Sequence, residues 1–137
     1  MKPSTMMILL VEDNRSDAEL LTELLSETKS PPDVHWVLDG AEALNYLHRK
    51  GLHSDAERPD LVVLDLGLPR VSGYEVLKTV RSRPELASLM VYILTTSQNP
   101  VDRSECENLG ADAFFSKPKN LKEYDTLVEK IVSANFA

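Results

Sequence analysis

The stretch Pro59-Asp60-Leu61-Val62-Val63-Leu64-Asp65-Leu66-Gly67-Leu68-Pro69 decides the fold. A short apolar run ends abruptly on an aspartate, and turn residues follow at once. Rich in Val and Leu and bounded by Pro on both sides, the run reads as a strand buried on both faces of a parallel sheet. Asp65 then stands at the carboxyl end of that strand, the edge at which ligands bind in open α/β sheets.

The same grammar recurs on either side. Met6 to Val11 is an apolar run that ends on Glu12-Asp13, and Leu89 to Leu94 is another that ends on Thr95, Thr96 and Ser97. Ala113-Phe114-Phe115-Ser116-Lys117-Pro118 is a fifth strand, and Val34 to Leu38, with Trp36, is the second, suited to a sheet edge. Between the strands the spacing changes to three and four. Leu20, Leu21, Leu24 and Leu25 mark a helix from Ser16 to about Thr28, with Ser16 and Glu19 as a capping box, and Ser30-Pro31-Pro32 stops it. Further helices start at Gly40, span Val76 to Val80, run from Pro100 to Leu109, and extend from Leu121 to about Ser133. The polar segment between Gly51 and Pro59 reads as a surface loop. Five strands, each followed by a helix, imply right-handed crossovers and a doubly wound five-stranded parallel sheet with helices on both faces.

Composition narrows the function. At 137 residues and 42% hydrophobic content, residues 1–137 are expected to form a single domain, with no room for an output domain. Fifteen basic against 22 acidic residues leave a net charge of −7, which argues against binding nucleic acid or an anionic membrane. The lone cysteine, Cys106, permits no internal disulfide and suits a cytoplasmic protein. The opening apolar run of six residues is too short for a signal-peptide core or a membrane span.

Taken singly, the polar strand ends are unremarkable: Asp65 as a turn former, Glu12-Asp13 as an acidic turn, Lys117-Pro118 as a surface turn. Their agreement carries the functional reading. Strands 1, 3, 4 and 5 side by side bring Glu12, Asp13, Asp65, Thr95, Thr96 and Lys117 to one place. Carboxylates so close repel by roughly 4 kcal/mol per pair at ~4 Å and an effective dielectric near 20. A divalent cation relieves this, and all-oxygen ligands of high charge suit Mg²⁺.

This set and order of residues resembles the receiver domain of bacterial two-component response regulators over about Met6 to Ser133. The resemblance implies a CheY-like, flavodoxin-like sheet of order 2-1-3-4-5. It implies that Glu12, Asp13, Asp65 and the backbone carbonyl of Gly67 hold Mg²⁺, for which Mn²⁺ can substitute. Asp65 matches the phosphoacceptor, Thr95 the hydroxyl that senses the phosphoryl group, and Lys117 the cation that pairs with it. Phe114 matches the aromatic switch residue and Pro118 a proline after a cis peptide bond, while Thr96 falls at the rim of the site. The change on phosphorylation is expected on the surface of helix 4, strand 5 and helix 5. More narrowly, Leu94-Thr95-Thr96-Ser97, the long loop before Pro59 and the run Ser116-Lys117-Pro118-Lys119-Asn120-Leu121 resemble the small regulators that act with phytochrome-type sensor kinases.

The expected function is therefore a phosphorylation switch and not an enzyme. Its expected partners are a sensor histidine kinase of the bacteriophytochrome type, as the narrower resemblance implies, an unknown downstream protein and a second copy in a homodimer, to which Tyr124 and Phe136 are candidate contributors. The chemistry stands without the name: a carboxylate nucleophile, assisted by a metal, an ammonium and a hydroxyl, can accept a phosphoryl group. An aspartyl-phosphate phosphatase of the haloacid dehalogenase type wants a second Asp two residues after the nucleophile, where this chain has Gly67. A flavodoxin-like redox carrier would meet Glu12-Asp13 where a phosphate cradle belongs. A receiver-like binding module that is never phosphorylated is the remaining alternative. His35, His48 and His53 show no ligand spacing and read as surface residues. Cys106 reads as a partly buried packing residue, Trp36 as core packing and Ser97 as a helix cap.

Overall fold

The computed structural model describes residues 5–49 and 58–134. Five parallel strands, β1 (Met7–Val11), β2 (Asp33–Val37), β3 (Leu61–Leu64), β4 (Met90–Thr95) and β5 (Ala113–Ser116), form one sheet of order β2-β1-β3-β4-β5. The helices α1 (Arg15–Ser26), α2 (Gly40–Leu47), α3 (Gly73–Ser82), α4 (Pro100–Asn108) and α5 (Leu121–Val132) alternate with them. The predicted topology is the observed one, including the edge position of β2.

The alternation of side chains along each central strand explains why those strands read as unbroken apolar runs. Leu9, Val11, Val62, Leu64, Val91 and Ile93 face one core, which they share with Ala43 and Leu47 of α2, Val76, Leu77 and Val80 of α3, and Cys106 of α4. Ile8, Leu10, Leu61, Val63, Tyr92 and Leu94 face the other, packed on Leu21 and Leu25 of α1 and on Leu127, Val128 and Ile131 of α5. Past its first residue each of the central strands β1, β3 and β4 is buried on one side or the other, so no polar alternation survives there in the sequence.

Several boundaries differ from the expectation. Helix α1 begins at Arg15, because the Asn14 side chain accepts the Asp17 amide and caps it; the Ser16–Glu19 pair lies inside the helix. Ser97 is not a cap either: Asn99 caps α4, accepting from the Val101 amide. Leu38 falls beyond β2 and is exposed. Cys106 is fully buried and not partly so. His35 and His48 are half-buried, and the His35 ring lies 4.6 Å from that of Tyr46. The Lys117–Pro118 bond is trans, against the expected cis form. Trans is the intrinsic preference of X–Pro bonds by roughly 0.5–1 kcal/mol, and with it the Lys117 side chain already reaches the acidic cluster. The predicted surface loop lies largely in residues 50–57, and His53 and Phe136 also lie outside the described residues.

The backbone continues in register past the strand ends. The Glu12 amide donates to Val37 O (3.1 Å), the Asp65 amide to Val11 O (3.1 Å) and the Lys117 amide to Thr95 O (2.7 Å). The ladder thereby sets the polar residues side by side. The turn after β3 is held tightly against α3: a Cβ on Gly73 would lie 2.2 Å from the Asp65 carbonyl oxygen and 2.7 Å from Leu66 Cα. Gly73→Ala must therefore displace the backbone that carries Asp65. We expect a net loss of about 2 kcal/mol, an overpacking cost partly offset by the lower entropy of unfolded Ala, read as a lower urea midpoint. An unchanged midpoint would contradict this packing.

Candidate functional site

The polar residues predicted from the strand ends meet at the carboxyl edge of the sheet. Glu12, Asp65 and Thr95 are the buried polar residues of the described chain, 2%, 8% and 3% exposed. Carboxylate oxygens of Glu12, Asp13 and Asp65 all lie within 4.8 Å of one another, with Asp13 on the solvent side. At that separation each ionised pair repels by roughly 3 kcal/mol at an effective dielectric near 20.

Lys117 compensates part of this charge. Its Nζ lies 2.7 Å from Glu12 Oε1, 2.9 Å from Asp17 Oδ2 and 3.2 Å from Asp65 Oδ2, so the three ammonium hydrogens face three carboxylates. Burial works against the ammonium, but its bonds to Glu12 and Asp17 and the charge of Asp65 outweigh that and hold its pKa above the usual lysine value. Glu12 is pushed up from 4.5 to about 7, chiefly by burial and also by the charge of Asp65, against the opposing pull of Lys117 and of the Asn14 amide.

Asp65 Oδ1 accepts the Gly67 amide at 3.1 Å, which fixes the carboxylate with its other oxygen toward Lys117. Gly67 itself meets no steric demand for glycine, since a Cβ there would find nothing within 4 Å. The Glu12 carbonyl accepts the Trp36 indole N–H at 2.7 Å, tying the acidic turn to the edge strand. Thr95 Oγ1 accepts the Ser97 amide at 3.3 Å. Thr96 is exposed and lines a cleft of about 310 Å³ with Asp17, Gln98, Lys117, Pro118 and Tyr124, beside the acidic cluster. Phe114 is half-buried against the α3–α4 core, with the Arg103 guanidinium 5.8 Å from its ring centroid.

The residue that sequence reasoning missed is Asp17. It lies five residues after Glu12 in the first turn of α1, a position that reads as an ordinary helix-start acid, and only the packing of α1 against α5, beyond the end of β5, brings it to Lys117. Three carboxylates, Glu12, Asp17 and Asp65, thus share one ammonium, with Asp13 beside them. This anionic surplus of hard oxygen donors, with Glu12 resisting ionisation in its buried setting, fits a divalent cation of the Mg²⁺ type.

An open 2-1-3-4-5 sheet with an acidic trio at its carboxyl edge, faced by a lysine and a threonine from the next strands, defines a regulatory phosphoacceptor domain. The chain belongs to the response regulator receiver domain family, whose pattern matches residues 8–129. Response regulator Rcp1 of Synechocystis sp. is 35% identical over 126 residues, spanning 92% of this chain and 86% of that protein. The crystal structure of the phosphorylated cyanobacterial phytochrome response regulator RcpA superposes with a TM-score of 0.88 at 38% identity, covering 93% of this chain and 91% of that one. That of the Mn²⁺-bound form of Rcp1 gives 0.87 at 34% identity, with 93% and 92% covered. Among the described residues no helix is long and apolar enough to cross a membrane.

The folded chain holds the Glu12 proton more tightly than the unfolded chain does. Stability from this group is therefore full below about pH 4.5 and is lost as pH rises through about 7. Lys117→Met removes the shared ammonium while keeping the stem, leaving Glu12 and Asp65 uncompensated. We expect a loss of about 3 kcal/mol near pH 8 without divalent metal, shrinking near pH 5.5 where Glu12 takes up a proton. Urea titrations at the two pH values measure it; a loss that grows on acidification contradicts the assignment.

Proposed function

We propose that the chain is a phosphorylation switch in which Asp65 takes a phosphoryl group from the phosphohistidine of a sensor kinase. The observation that carries this reading is the shared ammonium: Lys117 touches Asp65 and Glu12 at the sheet edge where carboxylates of three positions converge. Glu12, Asp13, Asp65 and the Gly67 carbonyl would hold Mg²⁺ or Mn²⁺. Bound there, the metal neutralises charge on the phosphoryl oxygens.

The chain's own residues do the rest. An Asp65 carboxylate oxygen attacks phosphorus, the P–N bond to the histidine breaks, and the imidazole nitrogen leaves with the electron pair. The Gly67 amide keeps the carboxylate oriented through Oδ1. Lys117, adjacent to Oδ2, exchanges a carboxylate partner for a phosphoryl oxygen as charge builds there, and the Thr95 hydroxyl donates to another. Phe114 follows Thr95 inward. Because Phe lacks a hydroxyl, its inward state is held by packing, and the change is read on the face of α4, β5 and α5.

The likeness to RcpA, a phosphorylated phytochrome response regulator, supports a phytochrome-type sensor kinase as the phosphodonor. A homodimer using the α4–β5–α5 face and an unidentified downstream protein complete the proposed partners. Incubation with Mg²⁺ and acetyl phosphate, followed by intact-mass measurement, is expected to add one phosphoryl group to the wild type and none to Asp65→Asn. No addition to the wild type, or undiminished addition to the variant, overturns the reading. Mg²⁺ at tenfold excess over its Kd is expected to stabilise the fold by about 1.4 kcal/mol, a rise of several degrees in Tm. Asp13→Ala is expected to lose most of that rise.

A further inference from the structure

Outside the acidic cluster, a second polar constellation joins three elements. The Tyr74 hydroxyl, on α3, donates to Asp102 Oδ1 at 2.5 Å. Asp102, in the first turn of α4, also accepts from the Ser97 hydroxyl in a short hydrogen bond. Ser97 Oγ in turn accepts the Asn99 amide at 3.2 Å, and the Ser97 amide donates to Thr95 Oγ1 at 3.3 Å. The two donated hydrogen bonds, Ser97 first and Tyr74 second, lower the Asp102 carboxyl below its usual range. Desolvation, the Asp102 bond and the Asp102 charge raise the Tyr74 phenol.

This chain of bonds ends on a residue of the phosphorylation site. Among the described residues Thr95 Oγ1 bonds to the Ser97 amide and not to Asp65. As the acceptor of the Ser97 amide, Thr95 Oγ1 keeps its own hydrogen to donate, so only a displacement of Oγ1 toward a phosphoryl group strains that bond. Such a displacement pulls on Ser97, whose other end is fastened to α4 through Asp102 and, through Tyr74, to α3. On the next residue of α4, Arg103 lies over the Phe114 ring. One carboxylate thus fastens the loop after β4, the start of α4 and the body of α3.

We infer that Tyr74, Asp102 and Ser97 form a latch that holds Thr95 and the start of α4 in the resting arrangement, and that phosphorylation of Asp65 opens it. The three are positioning residues; none touches the phosphoryl group. The inference rests on the phosphoacceptor reading of Asp65 and adds to it the polar device that sets the balance between resting and active forms. Such a device is needed here because Phe114 has no hydroxyl to secure either form. A weaker latch raises the fraction of molecules in the competent form, and the phosphorylation rate follows that fraction.

The test uses the full chain with Mg²⁺ and acetyl phosphate. Phosphoryl transfer to Asp65 breaks the P–O bond to acetate, which leaves with its electron pair. Tyr74→Phe and Asp102→Asn are each expected to raise the initial rate by about 3–10-fold, the effect of losing one hydrogen bond of ordinary net strength. The double variant is expected to exceed the larger single effect only slightly, because both residues act on one latch. Ser97→Ala is expected to raise the rate likewise, and Ser97→Thr, which keeps the hydroxyl, to restore it. In the wild type, amide hydrogen exchange at Ser97 to Arg103 is expected to quicken on phosphorylation. Variants that fall in Tm but keep the wild-type rate, or that slow, overturn the latch while leaving the phosphoacceptor intact. Unchanged exchange on phosphorylation overturns it too. A wild type that accepts no phosphoryl group overturns both.

Discussion

One ammonium among carboxylates governs this molecule's business end. Lys117 reaches the acidic turn after β1, the end of β3 and the first turn of α1 at once, so it is both a counter-charge and a clasp between elements far apart in sequence. Without it the buried Glu12 and Asp65 could not share the sheet edge at neutral pH without a large repulsion. Backbone bonds from Glu12, Asp65 and Lys117 carry the strand register one residue beyond the apolar runs, which is what brings the charges into contact.

The arrangement keeps stability and function in tension. Buried carboxylates are costly, and a fold optimised for stability alone would replace Glu12 with an apolar residue. Here the cost is concentrated at one edge of a sheet whose two apolar faces are fully packed, so the core supplies the rigidity that the site draws on. The close approach of Gly73 to the Asp65 carbonyl extends that rigidity to the turn after β3. By contrast, the loop after β4 is held by side-chain bonds, a weaker fastening that suits a part meant to move.

How much of this could be read in the residues follows from which features are local. The strands were legible because a doubly buried strand leaves an unbroken apolar run, and the candidate site was legible because the runs of β1, β3 and β4 end on the polar residues that meet there. Asp17 was not, since its contact with Lys117 depends on how α1 packs against α5 and no local pattern encodes that. The caps were misread where two polar residues stand close together, Ser16 for Asn14 and Ser97 for Asn99; α1 starts one residue earlier than expected, whereas α4 starts at Pro100 as read. The trans bond before Pro118 departs from what the family resemblance implied, and no feature of the residues around it marks the isomer. The Tyr74–Asp102 bond joins residues 28 apart on two helices, a pairing that no local pattern marks.

The indole bond from Trp36 to the Glu12 carbonyl has an optical consequence. The chain has a single tryptophan, and that tryptophan is fastened to the backbone of the acidic turn. An indole N–H bonded to a carbonyl emits differently from one released to water, so its fluorescence is an intrinsic gauge of that turn. The unlabelled protein thus carries its own reporter on the backbone of the turn that holds Glu12 and Asp13.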